Sequence, residues 1–286
     1  MQTTGAAPRE ISYSFAASTR AGRALIRSIE NITGRPRLLR MAMGYEREVE
    51  AGRDFWEVMR ERYGIGIEAT GLANIPREGP LVVVANHPYG ILDGLALGNI
   101  LSAARGGEFR IVAHVVFRRA RDLARIVLPV DFGATKAAQR TNIETRRAAL
   151  DYLGQGGAIG IFPGGTVSTA AKPFSRPLDP HWKTFTAKMI GKSDAAVVPV
   201  YFEGQNSRLF QVASHLNPTL RVALLINEFG TRIGAPLRVH VGRPLPAAEV
   251  AARRGDARAL MAYLRRETYA LDPSPVKDFS HGLYLG

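Results

Sequence analysis

The sequence contains no cysteine among its 286 residues. That excludes a disulfide framework, a thiolate nucleophile and a metal site built on cysteine, and it is compatible with a reducing compartment. No uninterrupted apolar stretch of about 18 residues occurs, so no spanning helix is expected. The first ten residues lack the apolar run of a secretory signal. There is no Gly-x-Ser-x-Gly elbow and hence no sign of a serine acyl-enzyme. His114, His181, His215, His240 and His281 show no metal-ligand spacing, so no metal is expected. Acidic residues are also scarce: 25 Asp and Glu stand against 38 Lys and Arg, a net charge of +13. Such a balance calls for an anionic partner, whether lipid head groups, nucleic acid or a phosphate-bearing co-substrate. Aromatic residues are only 8% and lie mostly in apolar segments. Without basic patches interleaved with aromatics, and without a recognised motif, no nucleic-acid partner is expected.

What is present centres on Asn86-His87-Pro88-Tyr89-Gly90-Ile91-Leu92-Asp93. Before it, Leu81-Val82-Val83-Val84-Ala85 reads as a fully buried strand. After it, Leu95, Leu97, Ile100 and Leu101 are spaced as in a helix. His87 therefore stands on the turn from a buried strand into a helix, the place where open α/β sheets build sites. Asp93, at the start of that helix, is placed to orient the imidazole and favour its basic tautomer.

Strands alternate with helices along the chain, which predicts an α/β fold with a mainly parallel central sheet flanked by helices. Further buried strands are expected at Phe109–Ala113, Ala158–Phe162 and Ala195–Phe202, with Pro199 marking a strand end or bulge. Ile65–Ala69 reads as an edge strand and Pro236–Val241 as a last alternating one. Helices are expected over Val116–Ile126, Thr141–Leu153 (capped by Asn142, with Ile143 inward), His181–Ile190, Leu220–Phe229 and from Asp256 to about Leu271. At the N-terminus, Ile11–Ile32 and Leu38 to about Tyr63 suggest an amphipathic helical hairpin broken at Thr33-Gly34-Arg35-Pro36. Two readings stand for it: a basic anchor lying on an anionic membrane, or ordinary helices packed on the main domain with a solvated basic face. The expected organisation is a tail and hairpin over 1–63, an α/β domain over 64–272 and a tail over 273–286.

Three strands end in polar turns, at His87, at Gly164-Gly165-Thr166 and at Glu203. Asn86-His87…Asp93, then Phe162-Pro163-Gly164-Gly165-Thr166, then Val198-Pro199-Val200 together resemble the glycerolipid acyltransferase family, the lysophosphatidic-acid-acyltransferase-like group. Asn86–Gly94 and Val198-Pro199-Val200-Tyr201-Phe202-Glu203-Gly204-Gln205-Asn206-Ser207 are most similar to its "putative hemolysin" and lyso-ornithine-lipid acyltransferase subgroup. The resemblance covers roughly Ile65 to Pro244. Three departures stand out. One extra residue separates His87 from Asp93 relative to the common His-x4-Asp spacing. Gly164 replaces a Glu that helps hold a glycerol-phosphate acceptor. An Arg expected near Val130-Asp131-Phe132-Gly133 is missing, with Lys136 and Arg140 the nearest replacements. The two losses turn the implied acceptor from lysophosphatidic acid toward a lyso-aminolipid such as lyso-ornithine lipid.

The resemblance implies O-acyl transfer to a lysolipid hydroxyl from acyl carrier protein or acyl-CoA as co-substrate, with no cofactor. It implies a peripheral enzyme on the cytoplasmic face of the inner membrane. The chemistry suits the residues: His87 takes the hydroxyl proton as general base, and Asp93 stabilises the imidazolium. Backbone N–H groups of the Gly164–Thr166 turn can receive the charge on the thioester oxygen. Asn86, Gly164, Gly165, Thr166 and Ser168 are candidate substrate contacts, and Arg140 and Lys136 candidate phosphate contacts. Two rival readings are lysophosphatidic acid as acceptor and a non-catalytic basic module that binds membrane or nucleic acid.

Overall fold

The computed structural model describes residues 11–279 except 18, 120, 121, 132, 134, 173, 275 and 277. The tail expected over residues 1–10, the last seven residues with His281, and Arg121 and Phe132 lie outside the described residues. Four helices come first: α1 (Arg20–Thr33), α2 (Arg35–Ala42), α3 (Tyr45–Glu50) and α4 (Phe55–Arg62). Then follow β1 (Gly66–Thr70), β2 (Leu81–Ala85), α5 (Ile91–Arg105), β3 (Phe109–His114), β4 (Val127–Val130), α6 (Lys136–Gly154) and β5 (Ala158–Ile161). The chain continues through β6 (Thr169–Ala170), β7 (Pro177–Leu178), α7 (Phe185–Ile190), β8 (Ala196–Phe202), α8 (Arg208–Leu216) and α9 (Pro218–Thr231). It closes with β9 (Pro236–Val241), α10 (Ala247–Ala251) and α11 (Ala257–Tyr269).

Seven strands form one sheet in the order β1-β9-β8-β2-β5-β3-β4, parallel except between β8 and β9. The short β6 and β7 pair separately. Every side chain of the central β2 is 0% exposed, as expected of a parallel strand covered on both faces. At about 1.5–3 kcal/mol for each fully buried large aliphatic side chain, this strand anchors the turn that follows it. Successive residues serve opposite faces. Leu81, Val83 and Ala85 pack with Trp56, Leu97 and Phe229, whereas Val82 and Val84 pack with Leu153, Met189 and Leu264. Leu81 stands opposite Ala158 on one side and Ala196 on the other. The parallel neighbours β8, β2 and β5 therefore all end on the same edge of the sheet, and all three polar turns lie there.

Several elements differ from the sequence expectation. The helix expected from Leu38 to Tyr63 is three helices, because Gly44 (φ 82°) and Gly52 (φ 91°) take left-handed conformations that interrupt it. Leu38, Tyr45, Trp56 and Tyr63 share a core cluster with the sheet. Of the first expected helix, only the part from Arg20 is helical. Residues before it form a strap with a short 3₁₀ turn at Ser14–Ala16, and the buried Glu30 fastens that strap by accepting from Ser12 Oγ and Tyr13 N, both at 2.6 Å.

Helix α6 begins earlier than expected, capped by Thr135. Asn142 is not its cap; its amide exchanges two hydrogen bonds with the backbone of Asp131. Ile143, expected inward, is 58% exposed. Among the described residues of Val116–Ile126 no α-helix forms, and the segment opens with a 3₁₀ turn, Val115–Arg119. Pro199 lies inside β8, opposite Val84. Its carbonyl accepts from Gly242 N, so its donor-less nitrogen faces the same side, just beyond Val200↔Val241, where the β8–β9 ladder stops.

Candidate active site

The turn after β2 is set by Gly90 and Asp93. Gly90 (φ 94°, ψ −116°) takes a conformation open to glycine, and a Cβ there would lie 2.9 Å from the Tyr13 hydroxyl. Asp93, 0% exposed, accepts from Tyr89 N at 2.8 Å and Gly90 N at 3.0 Å through Oδ2, satisfying two backbone donors at the start of α5. The same Oδ2 lies 3.0 Å from His87 Nδ1. The contact is close but not aligned as a hydrogen bond, and His87 Nδ1 and Asp93 Oδ1 are both buried without a hydrogen-bond partner. Such pairs tighten when substrate or a proton arrives. Five residues separate His87 from Asp93, and the chain bends at Gly90 between them, so the two side chains still meet. With Nδ1 facing the carboxylate, Nε2 is the nitrogen left for the cavity, and the His87 side chain retains 19% exposure. Phe162 stacks on the ring at 4.3 Å between centroids.

The turn after β5 closes with Gly165 (φ 68°), whose N–H donates to Phe162 O at 3.0 Å. Among the described residues the N–H groups of Gly164 and Thr166 meet no acceptor. Thr166 lines the cavity and Gly164 does not. Ser168 N donates to His87 O at 2.7 Å, tying the two turns together. The Ser168 hydroxyl donates to Asp179 Oδ1 at 2.5 Å.

Asp179, 0% exposed, was not singled out from the sequence, where it stands in a Pro-rich loop without a local signal. It also accepts from His87 N at 3.1 Å and Trp182 Nε1 at 2.9 Å. Burial raises its carboxyl above the ordinary range, with the Ser168, Trp182 and His87 donors working against that rise. A Cβ at Gly164 would lie 3.2 Å from Asp179 Oδ2. The place beside this turn is thus already filled by a carboxylate from elsewhere in the chain, and glycine at 164 makes room for it.

The other sequence candidates separate. The Asn86 side chain is buried and bonds both backbone groups of Phe202, donating to its O at 2.9 Å and accepting from its N at 2.7 Å; it clasps β2 to β8 rather than facing the cavity. Glu203, after β8, pairs with His240 at 2.5 Å, and its carbonyl accepts from the Tyr89 hydroxyl. Arg140 is 83% exposed at its side chain and pairs with Glu144, and neither it nor the exposed Lys136 lines the cavity.

His87 opens into a cavity of about 440 Å³, within the range of ligand pockets, lined mostly by apolar side chains such as Trp56, Leu95, Ile111, Phe117 and Leu225. Tyr13 and Phe15 of the N-terminal strap form part of its wall. Arg221 of α9 is the second residue that sequence reading missed, since an arginine on an amphipathic helix reads as surface. It is 6% exposed, stacks on Phe210 at 5.1 Å and lines the cavity. It donates to Thr166 Oγ1 at 2.9 Å, Val167 O at 2.8 Å, Ser214 Oγ at 3.2 Å and Thr169 Oγ1.

Among the described residues no three His, Asp or Glu side chains converge as metal ligands do. What the arrangement supplies is an imidazole with a free Nε2, a buried carboxylate behind it, free backbone donors nearby and an apolar chamber. That set suits proton transfer from a hydroxyl bound beside a long apolar group.

The known proteins that the chain resembles are acyltransferases. The profile of the family described as "Acyltransferase" matches residues 38–276, reaching well beyond Ile65 into the N-terminal helices. A lyso-glycine lipid O-acyltransferase of Bacteroides thetaiotaomicron is 29% identical over 208 residues, 70% of this chain and 74% of that protein. One from Phocaeicola vulgatus is 28% identical over 204 residues, 69% and 70% of the two chains. Among solved structures, the 1-acyl-sn-glycerophosphate (LPA) acyltransferase PlsC from Thermotoga maritima aligns over 92% of this chain and 87% of that one, at 17% identity and a TM-score of 0.47.

Proposed function

The chain belongs to the acyltransferase family, and from that premise we propose that it acylates the hydroxyl of a lyso-aminolipid, with His87 as general base. The observation that carries this reading is the His87–Asp93 pair, with His87 on the wall of a mostly apolar cavity. Family membership sets aside the non-catalytic binding module. Because the matched relatives act on lyso-glycine lipid, the acceptor class widens from lyso-ornithine lipid to lysolipids whose head group is an amino acid.

In the proposed step the acceptor hydroxyl gives its proton to His87 Nε2 as its oxygen bonds to the thioester carbon of acyl carrier protein or acyl-CoA. Asp93 stabilises the imidazolium that forms. The free N–H of Thr166, on the cavity wall, is the proposed donor to the thioester oxygen as charge builds there. The carbon–sulfur bond then breaks, and His87 returns the proton to the leaving thiolate. The products are an ester and a free thiol, with no covalent acyl-enzyme.

Peripheral membrane binding on the cytoplasmic face of the inner membrane belongs to the same proposal. Among the described residues no helix is long and apolar enough to cross a membrane. Leu25 and Ile32 on α1, and Leu209 and Leu216 on α8, are exposed, and both helices pack on α9, which carries Arg221 and Leu225 of the cavity. Exposed apolar side chains on a basic chain suit an anionic bilayer from which a lysolipid is drawn.

The test is transfer of a labelled acyl group to lyso-glycine lipid, lyso-ornithine lipid and lysophosphatidic acid. Product is expected from the amino-acid lipids, with His87→Ala reducing it about 10²–10⁴-fold. Product from lysophosphatidic acid alone would refute the acceptor class, and a fully active His87→Ala would refute the base.

A further inference from the structure

We propose that Arg221 receives the anionic head group of the acceptor, holding a carboxylate beside the His87 turn, an assignment that rests on the lyso-aminolipid reading above. Arg221 is a buried cation without an anion. All four of its hydrogen-bond partners are neutral oxygens. Among the described residues no carboxylate reaches it, and its Nε–H meets no acceptor. Burying an uncompensated charge is unfavourable, and pinning a loop to a helix needs hydrogen bonds but no charge. Burial pulls the guanidinium down to about 10, so it is still positive at neutral pH.

The guanidinium is also held still. Phe210 supports its face, and oxygens of Thr166, Val167, Thr169 and Ser214 fix its edges. A cation fixed before the ligand arrives loses little freedom on binding. Thr166 contributes a second contact: its oxygen accepts from Arg221, which leaves its own proton to donate into the cavity.

Position selects the acceptor over the thioester donor. Thr166, Val167 and Thr169 surround Ser168, whose N–H holds the His87 carbonyl, so an anion on Arg221 lies close to the reacting hydroxyl. The phosphates of a CoA or carrier-protein arm lie far along that arm from the thioester. An amino acid linked to a hydroxy fatty acid through its amine keeps its carboxylate a few bonds from the hydroxyl. With the four terminal N–H groups taken by protein oxygens, Nε–H of Arg221 and the Thr166 hydroxyl are the donors left for one carboxylate.

The test compares N-(3-hydroxymyristoyl)glycine with its primary amide as acceptors for the full chain, and repeats the comparison with Arg221→Gln and Arg221→Lys. The wild type is expected to favour the acid by about 30-fold or more in kcat/KM, and in Arg221→Gln that ratio is expected to fall to about 3 or less. A wild type indifferent to the amide, or an Arg221→Gln that slows both acceptors while keeping the ratio, overturns the assignment and leaves Arg221 a pin for the loop. Should the variants fail to fold, thermal protection of the wild type by N-myristoylglycine, which has no hydroxyl to acylate, is compared with protection by its amide; equal protection overturns the assignment. Absence of transfer to any lysolipid overturns the functional reading, and the protection measurement, which needs no turnover, then decides Arg221 by itself.

Discussion

Replacing Asp93 by Asn separates its two duties. Oδ2 both caps α5, through Tyr89 N and Gly90 N, and faces His87 Nδ1. An asparagine oxygen in the same place still accepts from both backbone groups, so the turn keeps its shape. The charge is lost. Two unit charges 3.0 Å apart attract by about 5–6 kcal/mol at an effective permittivity of about 20. A neutral amide oxygen retains about 1 kcal/mol of that as an ordinary hydrogen bond, and solvent at the open edge of His87 screens more. The transition state, which carries the imidazolium, is therefore expected to lose about 2–4 kcal/mol, or about 30- to 1000-fold in kcat. The new NH2 group takes the place of Oδ1, which has no partner, and an unmet buried donor costs about 1–3 kcal/mol of stability. That corresponds to several degrees in Tm for a chain of this size. Steady-state acyl transfer and a thermal melt on the same preparation check both numbers. If Asp93→Asn keeps kcat within about threefold while its Tm falls, Asp93 is a helix cap only, and the reasoning about His87 fails.

Other substitutions probe the support around that pair. Burial raises the Asp179 carboxyl, so the folded chain keeps a proton that the unfolded chain has released, and stability falls as pH rises from the ordinary carboxylate range through the raised value. Urea midpoints between about pH 4 and 7 are expected to slope less in Asp179→Asn. Glu30, raised by burial as well, keeps part of the slope, and an unchanged slope would remove Asp179 from this account. Gly164→Ala presses a methyl group against Asp179 and is expected to cost about 1–3 kcal/mol and to slow turnover by moving the His87 N–H acceptor; an unperturbed melt and kcat would contradict this. Asn86→Ala strands both backbone groups of Phe202 and is expected to destabilise by about 2–4 kcal/mol while leaving KM for the acceptor close to wild type at low temperature. A large rise in KM there would instead place Asn86 on the substrate.

The strands were legible because buried parallel strands write themselves as short valine- and isoleucine-rich runs, and the polar turns after them stand out by contrast. His87 and Asp93 could be paired because both sit within one turn. Residues brought together from distant parts of the chain left no such mark. Asp179 follows Pro177-Leu178, a stretch that reads as loop, and Arg221 shares its helix with alternating apolar residues; each acquires its surroundings only when β5, α9 and the Thr166–Thr169 segment meet. Arg140 and Lys136 illustrate the converse. Their place in the chain suggested phosphate contacts, but α6 presents both to solvent. The breaks in the N-terminal helices come from positive-φ glycines, and a glycine's identity does not tell whether it will take that conformation.

The strap that carries Tyr13 packs against residues that follow it far along the chain. Tyr13 packs with Val167, Phe210 and Leu225 and closes over Gly90, contacts between residues far apart in the sequence. Contacts of such long sequence range form late, because the loop between them must close first. The same closure is expected to be the first to open in the finished protein, so hydrogen exchange at Tyr13 and along Val167–Thr169 should run ahead of exchange in β2. A molecule opened only at the strap would keep its proton-transfer pair but lose its enclosed chamber, which confines acyl transfer to molecules in which the strap is closed.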